Sequence, residues 1–394
     1  MNDTVRKHIT NTWQQYLLYG VACASVASVM WFRLLKLVPY AGPSEVLARD
    51  AARTVDLLIQ NPLFLPHKVI QLLLFVIGFD GLIATRAVST FFALIAVVFF
   101  YRVVRTWYTS RVAMLATALF VTSSWFLHVA RLGTPTVLYV LSIVLLWAGL
   151  RMRSNKPRNL TLAIVGISIL SLMFVPGFVW IILAGIIWQR KRVIQEIKHV
   201  HNGVVVGLMV LSVPVVGLLA YAFYKDTSLI AQWLGLPEVL IIKDAIFNFI
   251  LTPYHIFVRA PFQPEFWLGR LPYVDIAMTI LFGLGVYVLY KTSVLDRMRA
   301  LAGVGVIGAL LASLCGAVNL IIVMPFIFVL ITAGIALLLQ QWFTVFPRNP
   351  IARNIGFIAV SLLVCMSVYF NLYSYFVAWP KNVDTKKTFT TQIP

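Results

Sequence analysis

The sequence predicts an all-α polytopic membrane protein with about eleven transmembrane helices. Two observations predict this fold class. First, 61% of the 394 residues are hydrophobic and only 11% are charged, which is too apolar for a water-soluble core of this size. Second, apolar runs close to 20 residues recur along the chain, and a helix of about 20 residues matches the thickness of the hydrocarbon core.

The predicted spans are separated by short polar connectors and by two longer segments. They cover residues 14–36, 84–104, 112–129, 134–150, 159–173, 175–189, 203–223, 272–291, 299–315, 318–340 and 354–378. The first span continues past a weak cleavage-site motif and is predicted to be a retained signal anchor. Residues 159–189 are short for two spans, so this region is either two short helices meeting at Pro176-Gly177 or one kinked helix.

The charged residues predict how the spans are oriented. Basic connectors alternate with connectors that hold most carboxylates, and about 18 of the 32 Lys and Arg share one side with about 3 of the 13 Asp and Glu. The positive-inside rule places this basic side in the cytoplasm. The N-terminus is then cytoplasmic and the tail, residues 379–394, is extracytoplasmic. Orientation accounts for the net charge of +19, so no nucleic-acid partner is expected.

The whole chain, residues 1–394, is predicted to be a single transmembrane domain with two long extracytoplasmic segments, 37–86 and 224–271. Nearly all the remaining carboxylates lie on that outer side. A plain transporter has no need for this asymmetry, which suggests an enzyme whose chemistry is done at one membrane face. The expected location is the inner membrane. The sequence contains no phosphate-binding loop of the Walker or Rossmann kind, so no nucleotide substrate is expected.

The first long segment contains a predicted amphipathic helix from Pro43 to Leu58. Pro43 and Ser44 are typical of a helix start, and Glu45 falls in the first turn, where the helix dipole favours a carboxylate. One face carries apolar residues and another carries charged ones, namely Leu47, Ala51, Val55 and Leu58 against Arg49, Arg53 and Asp56. A carboxylate fixed at a dry membrane face can act as a general base. A helix-capping Glu without chemistry is the alternative.

A second apolar stretch in the same segment runs from Val69 to Gly78. Its length of about ten residues is too short to cross a bilayer. Acidic residues typical of the outer side lie on both sides of it. It is therefore predicted to be a helix that lies in the outer interface, or dips in and returns.

Four motifs follow one another along residues 15–190. They are Ser44-Glu45, Leu65-Pro66-His67-Lys68, the stretch Gly78-Phe79-Asp80-Gly81-Leu82-Ile83-Ala84-Thr85-Arg86, and the run from Tyr101-Arg102 to Ala130-Arg131-Leu132-Gly133-Thr134-Pro135-Thr136. Their order and spacing resemble membrane glycosyltransferases of the GT-C class. The likeness is greatest to protein O-mannosyltransferases and to the aminoarabinose transferases of lipid A.

The resemblance implies an inverting transferase that moves a sugar from a polyprenyl-phosphate donor to an acceptor hydroxyl on a glycan, lipid or protein. It implies that the acid of the first outer segment is the catalytic base. Glu45 occupies that position, and Asp50 is the fallback. The chain departs from the family pattern at Ser44, where Asp is usual, and at Pro66-His67-Lys68, where Pro-Pro-Leu is usual. These departures leave the use of a divalent metal open, and no metal ligand is assigned.

Basic residues on the predicted outer side are candidates for binding the donor phosphate. Arg131 lies at an outer turn beside His128, and a guanidinium binds phosphate oxygens bidentately. The alternative for Arg131 is that its side chain snorkels to the surface. Arg86 has the same two interpretations, and for it snorkelling is favoured over phosphate binding. The same phosphate-binding role is predicted for Lys68, His255, Arg259 and Arg270. An ordinary interfacial belt is the alternative for the residues of the second long segment.

Two other functions remain open at this point. A lipid or small-molecule transporter would usually show internal symmetry and charges near the bilayer midplane. The predicted spans are almost free of charge, and no inverted repeat is evident. A non-catalytic partner built on a glycosyltransferase scaffold would explain why acids usual in the family are missing.

Overall fold

The computed structural model describes residues 20–391, except positions 22, 35, 153–158, 200–201, 292–295, 315 and 317. Its regular structure is helical, and one isolated antiparallel bridge joins Ala41 to Thr391. Residues 23–31 are helical, and further α-helices follow at Pro43–Asp50, Val55–Gln60, Leu65–Val76, Leu82–Trp107, Ser110–Thr122, Ser124–Arg131, Ser142–Met152, Asn159–Leu172, Phe178–His199, Asn202–Lys225, Ser228–Leu234, Ile242–Phe257, Ile276–Lys291, Asp296–Ser313, Met324–Val345, Pro350–Tyr373, Trp379–Lys381 and Val383–Thr388. Short 3₁₀ turns at Pro135–Leu141 and Leu320–Val323 and a π turn at Ser374–Ala378 extend three of them.

Each predicted span overlaps a helix of the structure. Among the described residues, four helices are long and apolar enough to cross a membrane, and a bent pair would make a fifth. They are Leu82–Trp107, Gly203–Lys225, Leu320–Val345 and Pro350–Lys381, with the pair Ser110–Thr122 and Ser124–Arg131. The prediction of a helical multi-pass membrane protein is confirmed. The count of eleven spans stays a prediction, since several of the remaining apolar helices are shorter.

The core is built around the Met324–Val345 helix, most of which is buried. It packs along its length against Ile276–Lys291. Two glycines make this close approach possible. A Cβ at Gly285 would overlap the carbonyl of Leu330, and one at Gly334 would overlap the carbonyl of Leu281. Small residues at such crossings let helix backbones approach closely, which is the usual basis of helix association in membranes.

The predicted span 112–129 is divided into two helices that meet at Ser123 with a bend of 60°. The Ser123 hydroxyl caps the second helix by accepting the N–H of Phe126 at 3.2 Å. Asn371, on a distant helix, accepts both the N–H and the hydroxyl of Ser124, at 2.9 and 3.0 Å. These contacts satisfy backbone groups that the break would otherwise leave unpaired. The bend directs Ser124–Arg131 toward the site described below.

The region 159–189 forms two helices, Asn159–Leu172 and Phe178–His199. They are separated at Gly177, whose φ of +76° is a conformation that glycine adopts readily. The N–H of Gly177 donates to the carbonyl of Trp233 at 2.8 Å. The structure therefore has the two-helix form of the two alternatives.

The predicted continuous helix Pro43 to Leu58 is wrong in its length and in its faces. The helix ends at Asp50, and a second one begins at Val55 after Thr54, whose side chain accepts the N–H of Leu57. Leu47 and Val55 are exposed, whereas Arg49 is buried. Arg49 turns inward because its Nη2 pairs with a carboxylate oxygen of Asp80 at 2.8 Å, a partner that helical periodicity does not reveal.

The Leu65–Val76 helix carries its polar residues inward and its apolar residues outward. His67, Lys68 and Gln71 are buried, whereas Leu73 is 55% and Val76 is 78% exposed. A helix in water would show the opposite arrangement. Its 12 residues are too few to cross a bilayer. This pattern supports the predicted interfacial position, in which the outer face contacts lipid.

Candidate active site

The centre of the site is a buried ion pair between Glu45 and Arg86. Glu45 lies in the first turn of the Pro43–Asp50 helix and is 0% exposed, and Arg86 lies near the start of Leu82–Trp107 and is 2% exposed. Arg86 Nε donates to one carboxylate oxygen at 2.8 Å, and Nη2 donates to the other at 2.9 Å. This bidentate geometry is the strongest form of an Arg–carboxylate contact.

Arg86 also anchors the chain that enters the first long segment. Its Nη1 donates to the carbonyl oxygens of Leu34 and Val38, at 3.0 and 2.7 Å, and its Nη2 donates to that of Tyr40 at 3.1 Å. All three guanidinium nitrogens are therefore in hydrogen bonds. The snorkelling that we favoured for Arg86 is wrong, because a carboxylate and three carbonyls offset the cost of burying the charge.

Two backbone N–H groups complete the shell around the Glu45 carboxylate. Gly133 donates to Oε1 at 2.8 Å, and Gly42 donates to Oε2 at 3.2 Å. An ionised carboxylate has about four lone-pair positions, and together with Arg86 these donors occupy all four. None is left to receive a proton from a substrate or to bind a cation. The role of Glu45 as general base stays a prediction, and its contacts favour an anchoring role.

Arg131 lies beside this pair, since Gly133, two residues later, contacts Glu45 directly. Arg131 is 2% exposed, so its snorkelling alternative is wrong. Its Nη2 donates to the carbonyl of Phe32, and its guanidinium carbon lies 5.2 and 4.7 Å from the ring centres of Tyr375 and Phe376. Nε and Nη1 are buried and have no partner among the described residues. A buried cation with free donors is costly unless an anion binds it.

An aromatic group surrounds His128, one helical turn before Arg131. The ring centres of Trp267, Tyr375 and Trp379 lie 5.2, 4.7 and 4.5 Å from the His128 ring. Trp267 belongs to the second long segment and Trp379 to the C-terminal region. Trp379 Nε1 donates to the carbonyl of Pro264 at 3.0 Å. The second long segment and the C-terminal region therefore pack together on the helix that carries Arg131.

Glu265 joins the two long segments. Its Oε1 accepts the N–H of Ser44 at 2.8 Å, and its Oε2 accepts the Ser44 hydroxyl at 2.9 Å. Burial raises the pKa of the Glu265 carboxyl, and the nearby charge of Glu45 acts in the same direction, against the hydrogen bonds from Ser44. A second acid therefore lies next to the buried ion pair.

The C-terminal segment covers this junction. Ala41 N–H donates to the carbonyl of Thr391 at 2.8 Å. Phe389 is buried against Trp379, with ring centres 5.5 Å apart, and its ring lies beside Gly42 together with Glu265. A Cβ on Gly42 would overlap the Glu265 carboxylate, so glycine is required where the three segments converge.

Lys68 lies on the inward face of the Leu65–Val76 helix. It is 7% exposed, and its Nζ donates to the carbonyl of Asn61 at 2.7 Å. Burial lowers the pKa of the Lys68 ammonium to about 8. Beside it, His67 Nε2 is 3.0 Å from the Ser89 hydroxyl, and both amide atoms of Gln71 are buried without a partner among the described residues.

The remaining predicted site residues lie at the surface. Asp50 is exposed, and its carboxylate pairs with Arg53 Nε at 3.3 Å. Arg259 and Arg270 are exposed, and His255 Nδ1 lies 3.1 Å from the backbone oxygen of Arg259. Within the described ranges no hydrogen bond or ion pair joins these residues to Glu45, Arg86 or Arg131. Their predicted roles stay predictions.

Glu45 and Arg131 are predictable from the sequence, whereas the contacts that define their surroundings are not. The sequence favours a surface position for Arg86, places Glu265 only within a general sugar- or headgroup-binding group of the second long segment, and assigns Gly133 no separate role. The residues that contact one another here are far apart in the chain: Glu45 and Arg86 by 41 positions, Glu45 and Gly133 by 88. No local pattern links them. In the part of the chain that the structure describes, no three His, Cys, Asp or Glu side chains converge as metal ligands.

Comparison with known proteins shows which family and which fold this chain is similar to. Residues 62–217 match the family described as dolichyl-phosphate-mannose-protein mannosyltransferase. The fold matches the crystal structure of ArnT from Cupriavidus metallidurans in the apo state, with a TM-score of 0.60 and 13% identity over 93% of this chain and 78% of that chain. The same protein bound to undecaprenyl phosphate matches with a TM-score of 0.57 and 12% identity, over 94% and 77% of the two chains. No curated protein matches the chain.

The resemblance to GT-C membrane glycosyltransferases that the sequence motifs indicated is confirmed. The family match covers the motifs from Leu65 to Thr136, and the structural match extends over nearly the whole chain. At this level of identity the structural match establishes the fold.

Proposed function

We propose that the protein is a glycosyltransferase that takes a sugar from a polyprenyl-phosphate donor and transfers it to an acceptor hydroxyl at the outer membrane face. One observation carries the proposal. Arg131 is buried, and its Nε and Nη1 have no partner among the described residues. It lies two positions before Gly133, whose N–H binds the Glu45 carboxylate, and Glu265 holds the neighbouring Ser44 where the two long segments meet. A cation for a leaving phosphate and an acid for an incoming hydroxyl are the two groups that such a transfer needs.

Arg131 is the proposed ligand of the donor phosphate. Its Nε and Nη1 can make the paired hydrogen bonds that a phosphate accepts. Phe32 and Phe376, which contact Arg131, also line an apolar surface groove of about 450 Å³ with Tyr369, Leu372 and Tyr373. We propose that this groove receives the prenyl chain near the phosphate. The solved relative with bound undecaprenyl phosphate supports a lipid of this class.

Lys68 is a second proposed phosphate ligand, because its ammonium has two N–H donors beyond the one given to Asn61. The predicted donor-phosphate-binding role of His255, Arg259 and Arg270 is kept in this proposal, and the two exposed arginines carry charges that attract an anionic headgroup. The proposed orientation has the N-terminus in the cytoplasm, the C-terminal tail outside and the protein in the inner membrane. The acceptor is a glycan, lipid or protein that carries a hydroxyl.

The proposed reaction is a single displacement. The acceptor oxygen attacks the anomeric carbon as its proton passes to a carboxylate, and the bond from that carbon to the phosphate oxygen breaks with inversion. The electron pair stays on the phosphate oxygen. Arg131 stabilises the charge that develops on the phosphate, which is the electrostatic contribution that such sites make to rate.

The test is donor consumption by the purified protein. Wild-type protein is incubated with a panel of polyprenyl-phosphate sugars, and released polyprenyl phosphate is measured. We expect turnover of at least one donor, a fall of about 100-fold or more for Arg131→Gln, and wild-type turnover for Arg102→Gln, an exposed arginine at the other end of the Leu82–Trp107 helix. No release from any donor would contradict the proposal. Donor flux into vesicles without release would indicate a transporter instead.

A further inference from the structure

We propose that Glu265, rather than Glu45, accepts the proton of the acceptor hydroxyl. This inference rests on the proposed function and assigns a catalytic residue on the second long segment, where the family resemblance pointed to the first.

The hydrogen-bond capacity of the two carboxylates distinguishes them. Glu45 has four donors on four lone-pair positions and is 0% exposed. Glu265 accepts one hydrogen bond on each oxygen from Ser44, and the N–H of Glu45 also faces it. At least one of its four lone-pair positions therefore remains. Glu265 is 9% exposed, whereas Glu45 is fully buried.

Aromatic contacts connect the segment that carries Glu265 to the helix that carries Arg131. Two residues after Glu265, Trp267 packs on His128, one helical turn before Arg131. One residue before it, the Pro264 carbonyl holds Trp379, which packs on the same histidine. The segment that carries Glu265 and the helix that carries Arg131 are therefore held together by shared aromatic contacts. The Glu45 carboxylate, in contrast, accepts hydrogen bonds from the N–H groups of Gly42 and Gly133.

The proton balance of the step is complete. The acceptor O–H bond breaks, its proton bonds to a Glu265 oxygen, and the acceptor oxygen forms the new bond to the anomeric carbon. Polyprenyl phosphate leaves with the electron pair of the broken bond. Glu265 then returns the proton to water. Ser44 orients the Glu265 carboxylate through its N–H and hydroxyl. Burial raises the pKa of this carboxyl, which brings the pKa closer to the working pH.

A structural role must be distinguished from this one, because Glu265 also accepts N–H groups at the start of the Pro43–Asp50 helix. A carboxylate that only caps a helix contributes to stability, and its loss would leave the pH dependence of turnover unchanged. A general base must be ionised to act. Turnover is then lost as pH falls through its pKa, which burial has raised above the ordinary value of 4.5.

The experiment compares Glu265→Gln, Glu265→Asp, Glu45→Gln and Glu238→Gln, each purified and checked by size-exclusion chromatography and thermal unfolding. The donor is whichever polyprenyl-phosphate sugar the wild-type protein consumes. We expect kcat to fall by about 100-fold or more for Glu265→Gln, with loss of the acidic limb of the pH profile and partial recovery in Glu265→Asp. Glu238, an exposed acid on the same segment, should be dispensable.

The outcomes separate the two proposals. A folded Glu265→Gln protein with wild-type kcat and an unchanged pH profile overturns this inference and leaves the proposed function in place. The same holds if folded Glu45→Gln loses turnover together with the acidic limb while Glu265→Gln keeps both. Absence of donor consumption by the wild-type protein overturns the proposed function, and this inference with it.

Discussion

Ser44 and Glu265 are 221 positions apart in the chain and are joined by two hydrogen bonds, of 2.8 and 2.9 Å. This contact connects the two long segments, 37–86 and 224–271, over the buried pair of Glu45 and Arg86. It holds the Glu265 carboxylate at the start of the helix that carries Glu45. The chemistry proposed above depends on this junction.

The buried ion pair should be essential for folding. Glu45→Gln leaves Arg86 buried and without its counter-charge, which we expect to cost about 3–5 kcal/mol. Thermal unfolding of the purified protein, followed by size-exclusion chromatography, measures this. The matched control is Arg53→Gln, which breaks the exposed pair with Asp50 and should change stability by at most about 1 kcal/mol. Equal effects of the two substitutions would contradict the anchoring role of Glu45.

The helix crossing in the core should tolerate no added methyl group. Gly285→Ala places a Cβ against the carbonyl of Leu330 and should lower the unfolding temperature or prevent folding. Gly283→Ala, two residues away on the same helix, meets no atom within 4 Å and should be neutral or slightly stabilising because alanine favours helix. If Gly283→Ala lowers the unfolding temperature more than Gly285→Ala does, the packing described for Ile276–Lys291 against Met324–Val345 is contradicted.

The C-terminal segment should detach when its buried aromatic anchor is removed. Phe389→Ala eliminates the contact with Trp379 and the ring beside Gly42, and burial of this kind is worth about 3–5 kcal/mol. We expect faster trypsin cleavage at the exposed Lys386 and Lys387, read by mass spectrometry. Val383→Ala, on an exposed side chain, serves as the control. Unchanged cleavage in the Phe389 variant would show that the segment is held by other contacts.

Lys68 should make stability depend on alkaline pH. Its pKa is about 8 in the folded protein against 10.5 ordinarily, so between these values the unfolded chain holds a proton that the folded protein has released. Stability linked to this group therefore rises with pH across that window and is absent below it. The unfolding temperature of wild type minus that of Lys68→Met should increase from pH 8 to 10.5. If the difference in unfolding temperature between the two proteins stays constant over this pH range, the lowered pKa of the buried Lys68 ammonium is contradicted.

The sequence predicted the class of fold because the signals for it are local. Apolar length and connector charge identify membrane helices within one stretch of chain, and Pro43, Ser44 and Glu45 mark a helix start by residue type alone. The end of that helix at Asp50 was missed, because Arg49 turns inward to Asp80, 31 positions away. The break at Ser123 was missed for a similar reason, since Asn371 stabilises it from another helix.

The types of residue in the site could be predicted from the sequence, but the cation–carboxylate pairs that they form could not. Glu45 is predicted because it occupies the position of the first-segment acid in the family that the motifs resemble, and Arg131 because it lies at an outer turn between two apolar spans. Which cation meets which carboxylate is decided by tertiary packing. The sequence allows the same two interpretations for Arg86 and Arg131, with snorkelling favoured more for Arg86. In the structure all three guanidinium nitrogens of Arg86 are hydrogen-bonded, whereas Nε and Nη1 of Arg131 have no partner among the described residues. The exposure of Arg259 and Arg270 likewise cannot be predicted from a local sequence pattern.

The decisive measurement is release of polyprenyl phosphate from a panel of polyprenyl-phosphate sugars by wild-type, Arg131→Gln and Glu265→Gln proteins, all shown to be folded. We expect the wild-type protein to consume at least one donor and both variants to lose about 100-fold or more of that turnover. Turnover that persists in both variants, or a wild-type protein that consumes no donor, would contradict a transferase site at the junction of the two long segments.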